Sequence, residues 1–183
     1  MTEQAFSLIP FPAPNTPDLA ITGKISLCKN VLSLQYSLAG RVEDIFLPPV
    51  STGPLRKDEL WKTTCFEFFL AIKDHSPYWE FNLSPSGDWN VYHMDLYRRI
   101  GFREETLIQR LPFDFQVENS GYSLNVAVDL CPILTPEENV QAGIASIIQM
   151  KDGHETYWAL LHPAPQADFH VRESFICSLQ NIT

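Results

Sequence analysis

Glu67, Glu80 and Asn82 are the residues whose types and spacing point most directly to chemistry. Glu80 and Asn82 lie two apart in YWEFNL (78–83), with Ser84 two further on, a spacing that puts side chains on one face of a β-strand. Trp79, Phe81 and Leu83 then take the other face. In TCFEFF (64–69) Glu67 alternates with Phe66 and Phe68 in the same way. Burying those aromatics beside Trp79 and Phe81 places Glu67 with Glu80 and Asn82, and a slip of one residue would separate them. Two carboxylates on one sheet face accept hydroxyl hydrogen bonds, and at a suitable separation they can perform acid–base cleavage of a glycosidic bond. Around them stand Trp61, Trp89, Tyr92 and Tyr97, flat rings of the kind that stack on the apolar faces of sugars. Arg98, beside Arg99, would orient the acids or bind an anionic substituent. The stretch Leu60 to Arg99 holds three of the four tryptophans and three of the six tyrosines.

Other chemistry is thinner. His93, His154, His162 and His170 form no H-x-H or H-E-x-x-H pattern, so they do not read as a zinc set. His93-Met94 with His162 or His170 are residue types that can ligate haem iron. There is no G-x-G-x-x-G, phosphate loop or G-x-S-x-G, and Ser84-Pro85-Ser86-Gly87 reads as a turn without a paired base. Cys28, Cys65, Cys131 and Cys177 are far apart with no C-x-x-C, and read as reduced, mostly buried small residues.

The elements that must carry these residues are strands. Ile21–Cys28 and Val31–Leu38 alternate around Lys29-Asn30, a hairpin signature. Thr64–Ile72, Tyr78–Leu83 and Asp88–Leu96, joined by 73–77 and 84–87, predict an antiparallel meander. Strands are also expected within Leu107–Val117 and from Tyr122 to Val128, Val140 to Met150, Thr156 to Leu161 and Phe175 to Leu179. Thr135-Pro136-Glu137-Glu138 resembles a helix start, a threonine cap with proline at the first position. The prolines at 10, 12, 14 and 17 predict an extended lead-in over residues 1–17, lying on the surface. About ten short strands with one or two helical turns at most make an all-β antiparallel sandwich, of jelly-roll or immunoglobulin-like type.

Composition bounds the partners. The 183 residues are enough for one domain with a real core, at 45% hydrophobic and 19% charged. A net charge of −9 repels phosphate backbones, so nucleic acid is not an expected partner. No apolar run approaches the ~20 residues of a membrane span, and the start has no basic segment leading into an apolar one, so a cytoplasmic location is expected.

The residues from Leu60-Trp61 onward resemble the DOMON-like superfamily, β-sandwich domains that include the family 9 carbohydrate-binding modules. The resemblance extends to its stand-alone bacterial, especially cyanobacterial, proteins. The motifs are TCFEFF (64–69), YWEFN (78–82) with SPSGDW (84–89), Tyr92, Tyr97-Arg98, YWAL (157–160), Pro165 and DFH (168–170). The resemblance implies a sandwich of roughly ten strands that binds sugars or haem. It also implies that a tryptophan pair, Trp61 and Trp89, would clamp a sugar, and that haem-binding relatives use Met and His, for which His93, Met94 and His170 are present. The leading expectation is a non-enzymatic module holding a sugar-like ligand on Trp61, Glu67, Glu80, Asn82, Trp89, Tyr92, Tyr97, Arg98 and His170. A haem carrier or sensor, and a glycoside-acting enzyme using Glu67 and Glu80, are the alternatives.

Overall fold

The computed structural model describes residues 3–98 and 101–181, so Arg99 and the first two residues of the expected lead-in fall outside them. Twelve strands are formed among the described residues: β1 Gln4–Pro10, β2 Leu19–Cys28, β3 Val31–Gly40, β4 Cys65–Ile72, β5 Tyr78–Leu83, β6 Trp89–Met94, β7 Arg103–Glu104, β8 Phe113–Glu118, β9 Gly121–Asp129, β10 Val140–Gln149, β11 Glu155–Ala159 and β12 Cys177–Leu179. One sheet runs β7-β6-β5-β4-β10-β11 and the other β2-β3-β9-β8. β1 stitches them together, pairing β2 through Gln4–Leu8 and β11 through Ile9 and Pro10, and β12 adds to the end of β10. All named pairings are antiparallel.

Alternation explains the β2-β3-β9-β8 sheet. In β3, Leu32, Leu34, Tyr36 and Leu38 are buried while Ser33, Gln35 and Ser37 are exposed. The β2–β3 hairpin turns on Lys29 and Asn30, both at positive φ (49° and 61°), the left-handed pair a two-residue turn needs. The inward residues of this sheet meet Phe66, Phe68, Phe81, Val91 and Ile144 of the other sheet in one continuous core. The Phe68 and Phe81 rings stack there at 4.3 Å, and the Tyr36 hydroxyl crosses the sandwich to donate to the Glu67 carbonyl at 2.6 Å.

The β4–β5–β6 part of the other sheet is buried on both faces: every residue of β5 and β6 is buried, as are all but the last of β4. Its outer face carries a second apolar cluster, in which Phe69, Ala71, Tyr78, Tyr92 and Met94 pack against Phe169 and Phe175, with Trp61 and Tyr157 at the margin. Gly143 makes room for this cover. It sits opposite Phe69 across the β10–β4 ladder, and a Cβ there would meet the Phe175 ring at 2.7 Å.

Two expectations need correction. The lead-in is not wholly a surface segment, because Phe6 and Leu8 alternate inward and make Gln4–Pro10 the strand joining the two sheets. Thr135–Glu138 is a turn: the Thr135 amide donates to Glu138 Oε2 at 2.6 Å and the Glu138 amide to the Thr135 carbonyl at 3.2 Å. The Glu138 carboxylate reaches back to the first amide as at a helix start, but β10 begins at Val140 before a helix can extend. Helical geometry occurs instead as three short 3-10 turns among the described residues, Val42–Asp44, Leu60–Lys62 and Arg172–Ser174.

Candidate functional site

The outer face of the β4–β5–β6 meander is built in rows. Asn90 pairs with Asn82 and Asn82 with Glu67; in the next row Tyr92 pairs with Glu80 and Glu80 with Phe69. Glu67 and Glu80 are therefore diagonal neighbours, for which Cα separations of about 7–8 Å are usual. Both are buried, at 2% and 6% exposure, and Asn82 is fully so. The Asn82 amide donates to Glu80 Oε1 at 2.7 Å, whereas Glu67 Oε1 has no hydrogen-bond partner among the described residues. Burial raises the Glu67 carboxyl well above its ordinary range, and the nearby Glu80 adds to this. Glu80 is pushed up to about 7 by burial, against the opposing pull of the Asn82 amide and Arg98. The site thus resists holding two carboxylate charges at once.

Tyr92 anchors one side. Its hydroxyl donates to Asp58 Oδ1 at 2.6 Å and accepts from the Asn90 amide at 2.9 Å; burial and the Asp58 bond raise its pKa. Phe102 stacks on its ring at 4.8 Å, and the half-buried Trp61 approaches it edge-on at 5.8 Å from the Leu60–Lys62 turn. On the other side lies the segment through Asp168 and His170. His170 Nδ1 shares a hydrogen bond with the Tyr78 hydroxyl at 3.0 Å, and its Nε2 lies 3.8 Å from Glu80 Oε2. Burial, reinforced by Arg98, brings His170 down to about 4, so the ring is neutral at pH 7. Burial pushes Tyr78 up to about 12. Asp168 gathers the exposed rim: it accepts from Tyr97, from Arg98 Nη2 at 3.0 Å and from the His170 amide at 3.0 Å.

The structure thus brings Trp61, Glu67, Glu80, Asn82, Tyr92 and His170 to one face, with Tyr97 and Arg98 at its rim. Trp89 is not among them. Strand alternation turns it to the sandwich interior, where it is 8% exposed and the Arg56 guanidinium lies 4.4 Å over its ring. The expected Trp61–Trp89 clamp is not formed, because the two indoles are on opposite sides of the sheet. Arg98 pairs with Asp168 at the rim. Asp58, Phe102 and Asp168 complete the surroundings. Phe102 and Asp58 come from loops with no strand periodicity, so no spacing marks them; Asp168 is two residues from His170 in the DFH motif (168–170).

The haem donors do not fit. His93 and Met94 are consecutive in β6 and face opposite sides, while Tyr78 and Glu80 flank the two ring nitrogens of His170. Among the described residues no three His, Cys, Asp or Glu side chains gather to hold a metal ion. Two open clefts lie elsewhere: about 640 Å³ over the outer face of β2, β3 and β9, and about 450 Å³ beside Trp79, His93, Arg103 and Glu105.

No protein-family model and no curated protein matches the sequence. Solved structures do match in shape. A candidate carbohydrate-binding protein from Bacteroides uniformis superposes with a TM-score of 0.71 at 12% identity, covering 98% of this chain and 86% of that one. A family 9 carbohydrate-binding module from Caldicellulosiruptor kristjanssonii, in complex with cellotriose, gives 0.61 at 12% identity, with 97% and 83% covered. The glucose complex of a family 9 module from the same organism gives 0.53 at 12%, with 92% and 79% covered. At this identity the likeness establishes architecture: the chain has the β-sandwich fold of the family 9 carbohydrate-binding modules.

Proposed function

We propose that this chain is a DOMON-like, non-enzymatic carbohydrate-binding module, and that it holds a small sugar-like ligand on the outer face of the β4–β5–β6 meander. The observation that carries the reading is the Glu67 carboxylate. A buried oxygen without a partner costs about 1–3 kcal/mol, and a ligand hydroxyl donating to it would remove that cost. Glu80 and Asn82 supply further polar groups in the same layer, and the half-buried Trp61, held against Tyr92, offers the aromatic surface a pyranose ring stacks on. Both acids are buried, with His170 against Glu80 and Trp61 against the neighbouring Tyr92, so a ligand reaches them by displacing the partly exposed His170 and Trp61. The shared fold of modules solved with glucose and cellotriose supports the ligand class.

The test is calorimetric titration with a panel of mono- and disaccharides. Saturable binding that weakens at least tenfold in both Trp61→Ala and Glu80→Ala is expected. Absence of binding to a folded protein at millimolar sugar, or affinity unchanged in both variants, would remove the proposal.

A further inference from the structure

The charge balance around the two acids says which sugar the site favours, an inference that rests on the reading just proposed. Among the described residues, the groups facing Glu67 and Glu80 leave the two acids no cation except Arg98, which is shared with Asp168; β10 sets only Ala145 opposite Glu67. From β4 and β5 come the Cys65 thiol, 3.9 Å from Asn82 Oδ1, and the Tyr78 phenol, both raised in pKa chiefly by burial and so uncharged. From β6 comes Tyr92, an uncharged phenol whose hydroxyl donates its hydrogen bond to Asp58. From the C-terminal segment comes His170, neutral, with Asp168 beside it. Arg98 acts on Glu80 from the rim, and its guanidinium is paired with Asp168 at 3.0 Å. Beneath the sheet, the Tyr36 hydroxyl bonds the Glu67 backbone and not its carboxylate.

An acid pair in this position either keeps a proton or takes a cation from outside. We infer that the site selects a sugar bearing a protonated primary amine, with the ammonium seated between Glu67 Oε1 and Glu80 and the ring against Trp61. An ammonium brings three N–H donors and a full charge, giving short charge-assisted bonds to both acids; a hydroxyl brings one donor and leaves the repulsion between the acids in place. Trp61 adds attraction for a cation near its face. No covalent bond changes. The ammonium keeps its protons, and the proton the acid pair held in the empty site passes to the buffer.

Binding of D-glucosamine, D-glucose and N-acetyl-D-glucosamine is compared by calorimetry near neutral pH in two buffers of different ionisation enthalpy. Glucosamine should bind at least tenfold more tightly than glucose, with proton release that makes its apparent enthalpy depend on the buffer. N-acetylglucosamine, which has lost the charge, should behave as glucose does, without proton release. In Glu67→Gln the glucosamine-to-glucose affinity ratio should fall to near one, and the wild-type buffer dependence stands as evidence even if that variant folds poorly. Glucose binding as tightly as glucosamine, or a ratio that survives in folded Glu67→Gln, overturns the amine inference and leaves the sugar reading standing. Binding of none of the three overturns both.

Discussion

The Asn82 side-chain amide donates to Glu80 Oε1 at 2.7 Å in a layer where both residues are buried. A neutral donor of this kind favours the charged carboxylate, yet burial outweighs it and Glu80 sits near 7, above the ordinary glutamate value of 4.5. Between those values the folded protein holds a proton that the unfolded chain has released. The stability this proton brings is present below about 4.5 and lost as pH rises through about 7. His170, His93 and His162 are held low mainly by burial and pull the opposite way below 6.5, so the informative quantity is the difference between proteins. Relative to wild type, Glu80→Gln should gain on the order of 2–3 kcal/mol between about pH 5 and about pH 8, read by urea unfolding at each pH. A difference that does not change with pH would show that Glu80 is ionised throughout.

Asp88 shows the opposite balance. It accepts from Ser51 Oγ at 2.6 Å, Lys57 Nζ at 2.6 Å, the Leu55 amide at 3.0 Å and Ser86 Oγ at 2.9 Å. Burial opposes its charge, but these donors together bring it down to about 2. Its contribution is present above 3.8 and lost as pH falls through about 2. Asp88→Asn should cost about 1–3 kcal/mol at neutral pH, discounted toward the lower end because Lys57 is half exposed, and should speed proteolysis within residues 51–57.

The meander was legible because period-two alternation is strict there and the aromatics leave one sensible register. Phe66, Phe68, Trp79 and Phe81 share the core, and Glu67 falls opposite Asn82 as their co-burial requires. The same alternation, applied to WNVYHM (89–94), already separates Trp89 and His93 from Tyr92 and Met94. Chemical type made Trp89 a stacking candidate while its parity made it core, and parity decided. β1 was obscured by prolines at 10, 12, 14 and 17, although Gln4–Pro10 ends before most of them. What lay beyond sequence was the cover on the outer face. The Phe169–Phe175 segment packs on a meander that is remote from it along the chain, and such long-range packing carries no local period.

The two indoles make that separation measurable. Trp89→Ala should cost about 3–5 kcal/mol, the usual range for emptying a core aromatic position, and would also take away the ring over which the Arg56 guanidinium lies. Trp89→Phe should fold and leave sugar titration within about twofold of wild type. Trp61→Ala, at a half-buried margin, should cost about 1 kcal/mol in stability and still weaken binding at least tenfold. The reverse pattern, with binding abolished in Trp89→Phe and kept in Trp61→Ala, would move the site to the other side of the sheet.

Gly143 links the cover to the acids. Its missing side chain is where Phe175 rests, and Phe175 follows His170 on the same segment by five residues. Gly143→Ala should cost about 1–3 kcal/mol by overpacking against that ring, and Phe175→Leu should recover part of it, giving a coupling above about 0.5 kcal/mol in a double-mutant cycle. Displacing the segment would also loosen the His170–Tyr78 bond and admit water to the imidazole. His170 should then titrate nearer 6.5 than 4 in Gly143→Ala, a shift followed on its ring resonances by NMR. Loss of stability with His170 still at about 4 would mean that Phe175 and His170 move independently. The cover would then act as packing over the sheet and have no hold on the group beside Glu80.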